Sequence, residues 1–144
     1  MRMVFTCVLA PLLTGCQTGD DALTTNATPA AVTGQAASAI AGDMASRFAE
    51  QIGSPGTTTI FLDKDETEYA IALEAAFKGW GYTVTAESKA AKNQKTVELA
   101  YSIDAFEGQI LARLITPSIA IARAYTKTAA GATPASPLSV MRHN

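Results

Sequence analysis

The chain has 144 residues, 48% hydrophobic but only 7% aromatic, and a net charge of −2 from 11 Lys and Arg against 13 Asp and Glu. Nothing in that balance suggests nucleic-acid binding, which would show as a patch or stripe of Lys and Arg. With two cysteines and one histidine, the chain also has few groups for metal or nucleophilic chemistry.

Met1 to Gly15 carries Arg2 as its one charge, followed by an apolar run from Val4 to Leu13 in which Thr6 is polar and Pro11 interrupts helix. A bilayer-spanning helix needs about 20 apolar residues, so this run is too short to span. It reads as the charged and apolar regions of an export signal. Leu13-Thr14-Gly15-Cys16 then puts a leucine three residues before a cysteine, with small residues between, and resembles the lipobox of bacterial lipoproteins. The resemblance implies a signal peptide over 1–15, cleavage between Gly15 and Cys16, and acylation of the Cys16 thiol by chains such as palmitate. Stable anchoring takes more than one chain. Gln17, rather than Asp, after the cysteine favours the outer membrane, with the protein facing the periplasm. A plain secretory signal or a short buried segment is the blander alternative. Cys7 would leave with the signal and Cys16 would carry lipid, so no thiol remains for a disulfide, metal or nucleophile. Loss of Arg2 takes the net charge from −2 to −3.

Residues 16–34 are rich in Thr, Ala, Gly and Asp, with Leu23 and Val32 the only larger aliphatic side chains. Such a segment buries too little apolar surface to offset its ordering entropy, and a flexible tether is expected. From Gln35, Ile40, Met44, Phe48 and Ile52 recur at i+4, flanked by Ala37, Ala41 and Ala45 and stopped by Gly53 and Pro55, which predicts an amphipathic helix. Thr57 to Leu62, β-branched and aromatic, predicts a strand. The segment from Asp63 opens with acids suited to the positive end of a helix dipole. It then sets Tyr69, Leu73, Ala76, Phe77 and Trp80 on one helical face before Gly79 and Gly81 end it. A strand near Tyr82 to Ala86 and a polar loop follow. Thr96 to Asp104 alternates strictly, with Val97, Leu99, Tyr101 and Ile103 on one side. Gln109–Ile115 and Ser118–Thr126 continue the alternation with Arg113 and Arg123 pointing away from the apolar faces, which together predicts a three-stranded antiparallel meander. Residues 127–144 return to a low-complexity, proline-containing composition and are expected as a flexible tail. The fold class is α+β, one small domain over 35–126 with an N-terminal helix, then strand-helix-strand and the meander.

Chemistry is sparse. His143 lies next to the C-terminal residue, whereas a general base must be fixed within about 2.6–3.2 Å of its proton. Asp63, Asp65, Thr67 and Glu74 fall at positions 1, 3, 5 and 12 of a calcium loop, but Glu68 stands where the sharp turn requires glycine. The expectation is therefore a helix start capped by Asp63 or Asp65. Trp80 and Tyr82 could form an exposed platform or close the core. No catalytic, metal or cofactor site is expected, and the chain is read as not an enzyme.

The lipobox Leu13-Thr14-Gly15-Cys16, the threonine-rich tether and the core run from Thr57 to Val84 together resemble TrbH, a lipoprotein family of the Trb mating-pair-formation system of conjugative plasmids. That resemblance implies a non-catalytic structural subunit of a type IV secretion apparatus, working with other core subunits in a multimeric assembly and without direct contact to nucleic acid. The element order after a lipidated tether is also similar to the small domains of type IV secretion lipoproteins such as DotD, which are like secretin N-terminal domains. A rival reading is a stand-alone envelope lipoprotein that binds peptidoglycan or acts in surface exclusion. A cell-wall binder should offer a pocket with convergent polar groups, and an assembly subunit an exposed apolar patch or open strand edge.

Overall fold

The computed structural model describes residues 28–87 and 93–144. The signal, the lipobox with Cys16, most of the tether and part of the polar loop lie outside the described residues. The elements are β1 (Thr28–Pro29), α1 (Gly34–Ala49), β2 (Thr58–Leu62), α2 (Glu68–Gly79), β3 (Thr83–Thr85), β4 (Lys95–Phe106), β5 (Gln109–Ile115), β6 (Ile119–Thr128), β7 (Gly131–Pro134) and β8 (Ser139–Arg142). This is an α+β fold, with the two helices on one face of a mixed sheet.

Helix α1 follows its i+4 spacing, and Ile40, Met44 and Phe48 are fully buried together with Ala41 and Ala45. The alanines let α2 approach closely, and Phe48 meets Phe77 edge to face at 5.7 Å. Helix α2 starts at Thr67, whose hydroxyl accepts from the Ala70 amide at 3.3 Å. Asp65, expected as a cap, instead accepts from the Thr67 amide at 3.1 Å and holds the capping residue in place. The helix ends in a Schellman turn: Gly81 has φ +92, the Tyr82 amide donates to Phe77 and the Gly81 amide to Lys78. Tyr82 then packs on Phe77 at 6.2 Å. Only half of the Trp80–Tyr82 pair closes the core, for Tyr82 is 4% exposed and Trp80 53%. Trp80 is the capping residue, one step beyond the helical turn that would carry it inward.

Strand β4 organises the sheet. Its first half, Lys95–Leu99, pairs in parallel with β2, and its second half, Ala100–Phe106, pairs antiparallel with β5. Strand β2 also carries β3 in parallel on its far side. Glu107 and Gly108, both at positive φ, make the two-residue hairpin turn into β5, and β6 completes the expected meander.

The expected flexible tail is overturned. Residues 131–134 and 139–142 run back along the free edge of β6 as β7 and β8, paired from Thr128↔Gly131 to Ile119↔Arg142. Between them four residues, 135–138, face only Arg123 and Ala124, so the returning strand bulges. Backbone pairing supplies this order, and composition does not record it. The expected tether likewise ends early: β1 pairs with β4 and Val32 is 4% exposed.

Candidate functional site

Because side chains alternate along strands, the helix-covered face and the opposite face separate cleanly. On β5, Ile110, Ala112 and Leu114 are buried under α1, while Leu111, Arg113 and Ile115 face away. Pairing sets these against β4 and β6 in three rows: Ala100, Ile115 and Ala120; Ser102, Arg113 and Ala122; Asp104, Leu111 and Ala124. Met141 of β8 extends the first row beside Ala120. Among the described residues no helix covers this face. Ile115 is 39% exposed, Phe106 40% and Met141 58%, so large apolar side chains reach solvent from a floor of alanines. Small side chains keep that floor flat and admit a close partner. Arg113, at its centre, makes no ion pair among the described residues, which agrees with its expected outward direction.

Arg123 reverses the expectation. It shares strand parity with Ile119, Ile121 and Tyr125, which carries it to the helix side. There its guanidinium meets Asp43 of α1 at 2.9 Å. The Tyr125 hydroxyl donates to the same carboxylate oxygen at 2.6 Å, and Arg123 Nε donates to the Ser136 carbonyl in the β7–β8 bulge at 3.0 Å. Burial, then the hydrogen bond to Asp43, push the Tyr125 phenol well above its usual range. This node ties α1, β6 and the returning strand together.

The calcium-like residues are similarly occupied. Glu74 binds Lys64 and Lys78, both at 2.8 Å, and those hydrogen bonds hold its carboxyl below the usual range. Hydrogen bonds from the Thr67 and then the Tyr101 hydroxyl do the same for Asp65. Among the described residues no group of three or more His, Cys, Asp or Glu is arranged to hold a metal ion. The His143 amide donates to Ser118 at 2.9 Å, so its backbone is fixed although it was expected in a mobile tail.

The structure is thus a small α+β domain with one sheet face covered by helices and the other, rich in alanine with Arg113 at its centre, open among the described residues. Comparison with known proteins gives its family. Residues 18–144 match the family described as Conjugal transfer protein TrbH. The chain is also 60% identical, over 99% of its own length and 99% of the relative's, to the probable conjugal transfer protein TrbH of Sinorhizobium fredii (strain NBRC 101917 / NGR234). The chain belongs to the TrbH family of conjugal transfer proteins. No solved structure matches it, and the likeness to secretin N-terminal domains stays an expectation.

Proposed function

We propose that this conjugal transfer protein is a non-catalytic structural subunit of a type IV secretion channel, anchored by lipid on Cys16 to the outer membrane and facing the periplasm. The observation that carries the reading is the open sheet face. Contiguous exposed apolar surface is costly in water and marks a binding surface. Its neighbours are other core subunits of the mating-pair-formation apparatus, brought into a multimeric assembly. In this reading the lipid supplies location and the face supplies specificity.

The test is detergent co-purification from cells carrying the transfer system, using wild type, Cys16→Ser and Ala120→Glu. Ala120 lies on the open face between Ile115 and Met141, so a carboxylate there charges the apolar row without entering the core. A large complex with wild type, depleted in both variants, supports the proposal. A lone protein in the wild-type sample sinks it and favours a free-standing envelope lipoprotein instead.

A further inference from the structure

The edge of β4 that faces β2 is interrupted. Pairing with β2 ends at Leu99, and pairing with β1 starts at Asp104, preceded only by the Ala30 amide donating to the Ile103 carbonyl at 3.0 Å. Among the described residues, 100–102 therefore have no strand partner on that edge. Over the gap the chain leaves β1 for α1 on one side and enters the first turn of α2 on the other. Between them is a cavity of about 450 Å³ whose walls include Val32, Tyr69, Tyr101 and Ile103.

Two features of this cavity ask for an occupant. Tyr69, in its wall, is 3% exposed, and its hydroxyl is buried with no hydrogen-bond partner among the described residues. An unpartnered buried hydroxyl costs about 1–3 kcal/mol, so one beside a cavity is unusual. The charge is one-sided as well: Asp65, Glu68 and Asp104 line the cavity, and among the described residues no Lys, Arg or His does. The rings of Tyr69 and Tyr101 stand 5.7 Å apart in its wall, and aromatic rings attract cations.

We propose that this cavity receives a lysine or arginine side chain carried by an extended segment of a partner polypeptide, whose backbone fills the gap in the β4 edge. An aliphatic stem suits the apolar wall, and a cationic head has only donors to offer hydroxyl and carboxylate oxygens. Strand addition supplies affinity through the main chain, and the pocket supplies the choice of side chain. Ser102 and Asp104 reach the cavity from the rows of the open sheet face, so the site adjoins that face, but capture of an extended segment at the β4 edge does not require a neighbour docked on it.

The probe is the peptide acetyl-Val-Lys-Val-amide, titrated into the full-length protein in detergent and followed by amide chemical shifts. Its counterpart with norleucine keeps the stem and removes the charge. Shifts should concentrate at residues 100–103, with the norleucine peptide and the Asp104→Asn variant each weakening binding by about tenfold. Tyr69→Phe should bind about tenfold more weakly while its thermal stability stays equal or rises, since it removes an unpartnered hydroxyl. Equal binding of both peptides, no binding of either, or unchanged affinity in both variants overturns the proposal. None of these outcomes depends on complex formation in cells.

Discussion

Replacing Asp43 by alanine tests whether the node between α1 and β6 holds the two layers together. The substitution removes the acceptor for the Tyr125 hydroxyl at 2.6 Å and for the Arg123 guanidinium at 2.9 Å. Hydrogen bonds to a charged group contribute about 1.5–3 kcal/mol, and breaking a buried ion pair from one side costs about 3–5 kcal/mol. Here the side chains of Arg123 and Asp43 are 17% and 23% exposed, so solvent reclaims part of that loss. The buried Tyr125 hydroxyl recovers little. The contact with Arg47 at 3.7 Å, with an arginine 42% exposed, contributes little by itself. The expected cost is about 3 kcal/mol, or about 10 °C in Tm for a domain of this size. Tyr125→Phe, which removes one hydrogen bond and leaves Asp43 its arginine, should cost about 1–1.5 kcal/mol. Urea denaturation of both single variants and the double variant closes a cycle in which a coupling of at least about 0.5 kcal/mol is expected. A loss below about 1 kcal/mol in Asp43→Ala, or additive effects in the double variant, refutes the node as an anchor.

Deleting residues 131–144 strips β7 and β8 from β6 and uncovers part of α1, so circular dichroism should show a large loss of cooperative folding. A flexible tail would leave the melt unchanged. Gly131→Ala should destabilise by more than about 1 kcal/mol in the same assay, because Gly131 has φ +143 and a Cβ there would lie 3.0 Å from the Gln35 carbonyl oxygen. The carboxyls of Glu74 and Asp65 are held below their ordinary values in the folded protein. Their stabilisation is thus fully present above the unfolded carboxylate range and is lost as pH falls through the lowered folded values. Glu74→Gln should flatten the acid limb of a stability–pH curve; an unchanged limb would show that Glu74 contributes nothing to it.

Some of this architecture is written in local spacing. Ile40, Met44 and Phe48 at i+4 leave a helix one face to bury, and alternation through β4, β5 and β6 gives each strand one inward row. The inward direction of Arg123 was also within reach, because it shares parity with Ile119, Ile121 and Tyr125; the charge of its head obscured that count. For β5 parity was less informative, since Leu111 and Ile115 make the outward row nearly as apolar as the inward one. The open face emerges only when the two helices are seen to share the other side.

What the sequence by itself determined was the existence of the two helices and the meander. Each of these depends on residues close together along the chain, where side-chain periodicity acts directly. Tertiary structure alone decided that residues 131–142 return along β6, that Asp43 meets residues some 80 positions away, and that one sheet face stays open among the described residues. Those outcomes rest on backbone hydrogen bonding at a strand edge and on the layer that covers each face, neither of which leaves a local pattern in the sequence.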